Sequence, residues 1–213
     1  MARRTIVGMG GFPDAKLVDY VLDLAGGRRV LVDRTASPPW DAPRPDWDAE
    51  LTPLSFFPWP PEGLRELALS HDAICVCGGN TANMLAVWRV HGFDRILREA
   101  WEAGVVLFGW SVGMICWFEA SVTDSFGPQL AGLRDGLGFL PGSACPHYDG
   151  EGQRRPVYTQ LVADGFPPGI ALDDAAAARF DGTELVEALA TADGAGGYRV
   201  GPDGEQVLEM RLL

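Results

Sequence analysis

Four short apolar runs, each ending in glycine or a charged residue, constrain the fold of this chain more than any other feature. Segments with helical spacing follow the first, third and fourth runs, and Gly26-Gly27 stops the first of these segments. Apolar strands that alternate with helices are typical of a parallel sheet whose faces are covered by helices. The runs are TIVGMGG, RRVLVDR, AICVCGG and VVLFG, starting at residues 5, 28, 73 and 105.

The second half of the chain departs from this pattern. We expect a helix in VGMICWFEA, another near RRPVYTQLVADG, and strands in GIALDD and AARFDG. The turn Pro202-Asp203-Gly204 predicts an antiparallel hairpin within YRVGPDGEQVLEMRL. We therefore expect one α/β domain over residues 1–213, with a mostly parallel central sheet, helices on both of its faces and the hairpin at its end.

Residues 34–61 interrupt the alternation of strands and helices. The segment holds eight prolines together with Trp40, Trp47 and Trp59. Proline is disfavoured inside helices and central strands, so we expect a long excursion with one strand near LTPLSFF. The sequence does not indicate what this segment covers.

Composition bears on the class of partner. The formal net charge is −12, and no Lys/Arg cluster is longer than a pair such as Arg3-Arg4. Such a chain repels phosphate backbones, so we do not expect nucleic acid as a partner. No apolar run approaches ~18 residues and the N-terminus lacks the features of a signal peptide, so we expect a cytoplasmic protein without membrane contact. The sequence leaves open whether the protein is a monomer or a homodimer.

The four cysteines lack the spacing of a zinc site. They lie in apolar or strand-like contexts, so we expect reduced thiols in the core, and we expect neither a metal nor a cofactor. The cysteines are Cys75, Cys77, Cys116 and Cys145.

The stretch GWSVG at residues 109–113 places Ser111 between two glycines, directly after an apolar run and before a helical segment. This is the G-x-S-x-G pattern of a nucleophile elbow, a sharp strand-to-helix turn that exposes a serine hydroxyl. A loop serine is the plain alternative. The strand before Ser111 and the helix after it favour a nucleophile.

A nucleophilic serine needs a general base, most often histidine, and the chain has three. His71 ends a helix before a buried strand, and His91 lies at a helix C-terminus, where a structural role is common. His147 lies in a loop after the apolar segment GLGFLPG, and loops at strand ends carry function. Elimination therefore leaves His147 as the base, with a surface histidine as the alternative.

The carboxylate that orients the base is the least determined member of the site. Asp174 ends the strand IALDD, and strand ends in such sheets face the active crevice. Asp124, which follows the elbow helix, is the alternative acid. Asp173 is expected on the opposite face, in solvent.

Acyl transfer also requires backbone donors for the oxyanion. The N–H after the nucleophile, that of Val112, is the usual first donor. The turn Gly78-Gly79-Asn80 can present a second N–H, because glycine permits positive φ. A plain strand-to-helix turn with an Asn cap is the alternative interpretation of this turn.

Together, CGGNTANML, LFGWSVGMICW and CPHYDGE resemble, in this order, the peptidase E family of serine dipeptidases related to aspartyl dipeptidase and cyanophycinase. The likeness runs from about residue 5 to residue 182. It implies a class I glutamine-amidotransferase-like three-layer sandwich with serine in place of that superfamily's cysteine. It also implies a chain order of Ser, His and acid, whereas α/β-hydrolases run Ser, acid, His.

The resemblance implies roles for particular residues. Ser111 becomes the nucleophile and His147 the base, while Gly79 and Val112 become the oxyanion donors. Asp124 and Asp174 both look like family positions for the acid.

Substrate-binding candidates also follow from the resemblance. They are Asn80 and the pair Arg154 and Arg155, which lie near where aspartyl dipeptidases place an arginine for an acidic side chain. The arginines are closer to the histidine than in the family, which leaves Asp specificity open. Valine replaces the usual alanine at position 112, and we expect it to narrow the site.

The first hypothesis is therefore a cofactor-free serine peptidase that acts on dipeptides or short peptides through an acyl-enzyme. Whether N-terminal Asp is required stays open. An esterase or amidase on another small acyl substrate is the second hypothesis. A non-catalytic amidotransferase-like binding module is the third, since fold does not fix function.

Overall fold

The computed structural model describes residues 3–37 and 46–213. Within these residues it contains fourteen strands and six helices. The helices are α1 (Ala15–Ala25), α2 (Leu64–Leu69), α3 (Thr81–His91), α4 (Phe93–Ala103), α5 (Val112–Ile115) and α6 (Arg154–Ala163). The strands are β1 (Thr5–Met9), β2 (Arg29–Asp33), β3 (Glu50–Leu54), β4 (Ala73–Val76), β5 (Val106–Trp110), β6 (Phe118–Thr123), β7 (Ala131–Leu133), β8 (Leu140–Cys145), β9 (Gly169–Leu172), β10 (Ala176–Asp181), β11 (Glu184–Ala190), β12 (Gly197–Gly201), β13 (Gly204–Val207) and β14 (Met210–Leu212).

The larger sheet has eight strands in the order β14-β11-β10-β1-β5-β4-β2-β3. The five strands from β1 to β3 in this order run parallel to one another. They include all four apolar runs of the sequence. β10 and β11 add antiparallel pairs beside β1, and β14 lies parallel to β11 at the edge. The carboxyl ends of β1, β5, β4 and β2 therefore lie side by side at one edge of the sheet.

A second sheet of six strands, in the order β13-β12-β9-β8-β6-β7, differs from the expectation of one central sheet. The hairpin of β12 and β13 pairs antiparallel as the turn residues suggest, but it extends this second sheet. The helix expected through VGMICWFEA ends at Ile115, and the chain turns into β6 at Phe118. β6 pairs with both β7 and β8, and these distant partners outweigh local helix propensity.

Helices and the second sheet cover the two faces of the larger sheet. Leu17, Val18 and Val21 of α1 pack with Val7 and Val32 on one face. The opposite face packs against helices α3, α4 and α5 and against apolar residues of β8 and β9. Helix α6 covers the far side of the second sheet. The molecule is thus a mixed α/β structure in which helices flank the sheets.

The proline-rich segment contains the strand expected near LTPLSFF, which the structure confirms as β3, parallel to β2. Trp40 and the first four prolines of the segment lie outside the described residues. Over residues 3–37 and 46–213, no helix has both the length and the apolar character to span a membrane. All four cysteines are buried free thiols.

Candidate active site

Ser111 occupies the sharp turn between β5, which ends at Trp110, and α5, which begins at Val112. Its N–H donates to the carbonyl oxygen of Met9 on β1, at 3.1 Å, and its own carbonyl accepts from the N–H groups of Met114 and Ile115. The turn is therefore fixed by the sheet on one side and by the first turn of α5 on the other.

The glycines on either side of Ser111 are explained by close packing against β4. A Cβ atom on either Gly109 or Gly113 would overlap the carbonyl oxygen of Val76, at the end of β4. Only residues without a side chain let the strand and the helix approach this carbonyl together. The G-x-S-x-G spacing therefore follows from the space beside β4.

Backbone strain coincides with the two predicted reacting side chains. Among the described residues, Ser111 and His147 are the non-glycine residues with positive φ, at 54° and 51°. Such conformations cost on the order of 1–3 kcal/mol and persist where the surroundings hold them, often at functional sites.

His147 follows β8 and lies against the end of β1. Its N–H donates to the carbonyl oxygen of Gly10 at 3.3 Å. Its Nδ1 lies 2.5 Å from Oδ1 of Asp174, the residue that follows β9 by two positions. An ionised carboxylate only accepts hydrogen bonds, so we assign the ring proton to Nδ1, which leaves Nε2 as an acceptor.

The main chain of Asp174 is anchored independently of its carboxylate. Its N–H donates to Oδ1 of Asp149 at 2.9 Å, and its carbonyl accepts from the N–H of Gly11 at 3.0 Å. A Cβ atom on Gly150 would overlap the Asp174 carboxylate, which marks how closely this loop packs around it. The histidine–carboxylate pair therefore lies in a fixed loop framework.

The other two histidines contact neighbouring residues in the fold. His71 is buried, and its Nδ1 lies 2.7 Å from the carbonyl oxygen of Leu67. His91 stacks on Phe56 at a centroid distance of 5.1 Å.

The two alternative aspartates have different surroundings from those of Asp174. Asp173 is only 4% exposed, so the expectation that it lies in solvent is wrong. It accepts a 2.7 Å hydrogen bond from the N–H of Gly196, and burial raises its pKa. Asp124 is exposed in the loop after β6, and its carboxylate makes no hydrogen bond to His147 or to any other described residue.

Ser111 and His147 line the same cavity, of about 390 Å³, at the carboxyl edge of the larger sheet. Within the described residues, no direct hydrogen bond joins the serine hydroxyl to the imidazole. Catalytic hydrogen bonds in free enzymes are often long and tighten with substrate. The remaining lining residues are Phe12, Val32, Arg34, Ser37, Cys77, Gly78, Gly79 and Trp110.

Backbone donors are available beside Ser111. Gly79 adopts a φ of 138°, and its N–H has no acceptor among the described residues. The same holds for the N–H of Val112, the first residue of α5. The Val112 side chain is 1% exposed, packs in the core and is not among the residues that line the cavity, and narrowing of the site by this valine stays a prediction.

The loop after β2 holds the Gly78-Gly79 turn in place. The carbonyl of Ala36 accepts from the N–H of Asn80 at 2.8 Å, and the hydroxyl of Ser37 donates to the carbonyl of Gly78. Asp33, the last residue of β2, is buried next to this loop. Its carboxylate accepts from Thr35 and from the indole N–H of Trp88, and burial raises its pKa to about 6.

The three predicted substrate-binding residues have protein partners and do not line the cavity. Asn80 caps α3 by accepting from the N–H of Asn83 and donates to the carbonyl of Ser125. Arg154 is buried and bonded to Glu151 and to the carbonyl of Val122. Arg155 pairs with Glu205. Their role in substrate binding stays a prediction.

Several lining residues were not found from the sequence, among them one cation and two aromatic residues. Arg34 directly follows β2, and residues after parallel strands line the active crevice, so its position was a usable signal. Phe12 and Trp110 form an edge-to-face pair, with centroids 4.9 Å apart, and this pair forms an aromatic wall beside Ser111. No group of three described His, Cys, Asp or Glu residues is arranged to hold a metal ion.

Solved structures show what class of protein this fold defines. The chain superposes with a TM-score of 0.69 on a peptidase from an acI-B1 Actinobacterium, at 15% identity, covering 98% of this chain and 95% of that one. A protein assigned as a peptidase E from Listeria monocytogenes EGD-e gives a TM-score of 0.62 at 16% identity, covering 87% and 98%. The fold is therefore that of peptidase E structures.

Sequence comparisons identify the family. The model of peptidase family S51 matches residues 44–188, so the chain belongs to peptidase family S51, the family that includes peptidase E. The uncharacterized peptidase YgaJ of Bacillus subtilis (strain 168) is 48% identical over 160 residues, 75% of this chain and 69% of that protein. Peptidase E of Shewanella denitrificans is 27% identical over 149 residues, 66% of this chain and 62% of that protein. Membership in this family supports the assignment of the chain as a peptidase, which is a hydrolase of peptide bonds.

Proposed function

We propose that the protein is a serine peptidase that hydrolyses dipeptides or short peptides through the side chains of Ser111, His147 and Asp174. One observation carries the proposal. A serine in strained backbone at a strand-to-helix turn faces the same cavity as a histidine whose Nδ1 is bonded to a carboxylate. These are the three roles of a nucleophile, a base and an orienting acid.

In the proposed reaction, Oγ of Ser111 attacks the scissile carbonyl carbon while Nε2 of His147 accepts the hydroxyl proton. The N–H groups of Gly79 and Val112 stabilise the oxyanion. Collapse of the tetrahedral intermediate breaks the C–N bond, and His147 returns its proton to the leaving amine. Water, deprotonated by the same imidazole, then attacks the acyl-enzyme and releases the acid and the free serine.

Asp174 is the proposed orienting acid, and the 2.5 Å contact with His147 supports it over Asp124. By fixing the proton on Nδ1, the carboxylate keeps Nε2 unprotonated toward the serine. Peptides with N-terminal Asp enter the proposal only as one class of substrate to be tested.

A dipeptide panel tests the proposal. The wild-type protein should release free amino acids from members of an X-Ala and Asp-X panel. Ser111→Ala should lower kcat/KM by at least about 10³-fold, since the nucleophile is removed. Ser70→Ala serves as the matched control and should behave as wild type, because Ser70 is exposed and precedes the amino end of β4, at the edge of the sheet opposite the cavity.

Other outcomes separate the competing hypotheses. Turnover of p-nitrophenyl esters without turnover of any dipeptide would replace the peptidase with an esterase. Absence of turnover on both classes, with ligand binding unaffected by Ser111→Ala, would favour a non-catalytic binding module.

A further inference from the structure

A second cavity lies at the edge of the sheets opposite Ser111. Its volume is about 680 Å³, and it is bounded by the first residues of β8 and β9, the ends of β10 and β12, and the turn between β12 and β13. We call it the amino-edge cleft. β8 is six residues long, about 20 Å, and His147 follows its other end. The cleft is therefore separate from the candidate active site.

Strand register fixes the direction in which Arg199 of β12 points. Arg199 pairs with Ile170 on β9 and with Gln206 on β13, and paired residues of neighbouring strands project from the same face of a sheet. Ile170 belongs to the core between the two sheets, whereas Val200, the next residue of β12, packs with α6 on the other face. Arg199 therefore projects toward the larger sheet, from a face on which packing favours apolar residues.

The rim of the cleft carries two opposite charges, Arg199 on β12 and Asp203 in the turn that follows. Both residues are exposed, and neither forms an ion pair with another described residue. Glu205, the remaining charged lining residue, is neutralised by Arg155 and also accepts from the hydroxyl of Tyr148. The cleft thus presents one cation and one anion to a ligand.

Apolar side chains form the side of the cleft that the larger sheet provides. Phe180 and Leu185 come from β10 and β11, and Leu185 is partly exposed. Phe118, at the start of β6, packs edge to face on Phe180, with ring centroids 5.7 Å apart. A ligand that lies between the sheets therefore meets apolar surface on one side and the two charges on the other. Burial of an apolar group against this surface is favourable.

The length of β12 between the two charges sets the size of a ligand that joins them. Arg199 precedes Gly201, which closes the turn, by two residues, about 7 Å of extended strand, and Asp203 lies in that turn. An extended peptide advances about 3.4 Å per residue, so the termini of a dipeptide are also about 7 Å apart. A dipeptide carries an ammonium and a carboxylate at these termini, and a carboxylate and a guanidinium are their matching partners.

We propose that the amino-edge cleft is a second binding site, which takes zwitterionic dipeptides with apolar side chains. Arg199 binds the C-terminal carboxylate, Asp203 binds the N-terminal ammonium, and Phe180 and Leu185 contact the apolar side chains. Binding here requires no hydrolysis at Ser111, so the inference is independent of the proposed function.

Matched peptides test the proposal on the full chain carrying Ser111→Ala, in which no hydrolysis through Ser111 consumes them. Calorimetry compares leucyl-leucine with N-acetyl-leucyl-leucine, which lacks the ammonium, and with leucyl-leucinamide, which lacks the carboxylate. Each modified peptide should bind at least about threefold more weakly, because one charge-assisted contact at an exposed rim is lost. Glycyl-glycine should bind at least about tenfold more weakly, because it lacks the apolar side chains.

Variants that remove one charge, made in the Ser111→Ala chain, assign each contact to a side chain. Arg199→Gln should bind leucyl-leucine and leucyl-leucinamide within about twofold of each other but still discriminate against the acetylated peptide. Asp203→Asn should show the reverse pattern. Arg95→Gln in α4 and Asp193→Asn in the loop before β12 change exposed residues outside the cleft, so these matched controls should keep the pattern of Ser111→Ala alone.

The location of the bound peptide is the second readout. Leucyl-leucine should shift the backbone amide NMR signals of residues 199–206, with circular dichroism checking the fold of each variant. Affinity for leucyl-leucine that is unchanged by both Arg199→Gln and Asp203→Asn would overturn the proposal. Amide shifts confined to the residues around Ser111, or no detectable binding at millimolar peptide, would overturn it as well.

Discussion

Replacing Asp174 by Asn probes the contact that orients His147. The amide keeps the size of the side chain but removes the charge, and it allows the imidazole to adopt the wrong tautomer. The main-chain anchors of residue 174 involve its own N–H and carbonyl, so they survive the substitution. We therefore expect a catalytic defect in a stably folded protein.

The expected size of the catalytic defect depends on how exposed the Asp174 and His147 side chains are to water. Loss of a buried orienting carboxylate costs about 10⁴-fold in kcat in the best-known serine protease triad. The Asp174 side chain is 51% exposed and that of His147 is 22% exposed. Water screens a half-exposed carboxylate, so its contribution is smaller than that of a buried one. The expected loss is about 10²- to 10³-fold in kcat.

Steady-state kinetics on the best substrate of the dipeptide panel provides the assay, with thermal unfolding as the check on folding. Asp124→Asn is the matched control and should lie within about twofold of wild type, because its carboxylate does not contact His147. The free energy of unfolding should change by less than about 0.5 kcal/mol in both variants. A collapse of activity in Asp124→Asn with near-normal Asp174→Asn would refute the reasoning.

Three further predictions concern the framework around the site. Gly150→Ala places a methyl group against the Asp174 carboxylate, so kcat should fall at least about tenfold while the unfolding midpoint in urea stays near that of wild type. Gly113→Ala places a methyl group on the backbone carbonyl of Val76, which cannot move, so urea titration should show that the free energy of unfolding falls by at least about 2 kcal/mol. Gly152→Ala is the control, because the space around Gly152 is open, and its free energy of unfolding should fall by less than about 0.5 kcal/mol. Burial raises the pKa of Asp33 to about 6, so near pH 5 the folded protein holds a proton on Asp33 that the unfolded chain has released. Because of this difference in bound protons, the free energy of unfolding falls as pH rises, until Asp33 is ionised in the folded protein as well, above pH 6. The stability of wild type relative to Asp33→Asn should therefore fall by about 1 kcal/mol between pH 5 and pH 8, as measured by urea unfolding at both pH values.

Each of these predictions has a contrary outcome. Full activity in Gly150→Ala would mean that the carboxylate position does not matter. Equal stability of Gly113→Ala and Gly152→Ala would remove the packing explanation for the elbow glycines. A stability difference between wild type and Asp33→Asn that does not change with pH would mean that the buried carboxyl group does not titrate in this range.

The parallel strands near the site were predictable because their signals are local. Each apolar run is short, strongly hydrophobic and bounded by glycine or a charged residue, as in RRVLVDR and AICVCGG. The position of Ser111 followed from the same local pattern. The geometry at Asp174 agrees with the preference for a strand-end acid.

The second sheet was not predictable because its pairing depends on distant segments. Only two residues separate the end of α5 from β6, and only its pairing with β7 and β8 makes Phe118–Thr123 a strand. Asp173 was misplaced for a similar reason. The N–H of Gly196, contributed by the loop before β12, provides the buried partner that the local sequence does not reveal.

Labelling with a fluorophosphonate, followed by peptide mass mapping, tests the central claim most directly. The account predicts a single adduct on Ser111 in the wild-type protein, none in Ser111→Ala, and a rate of labelling that drops sharply in His147→Ala but not in His91→Ala. Equal labelling of Ser111→Ala, or an adduct on another residue, would contradict it.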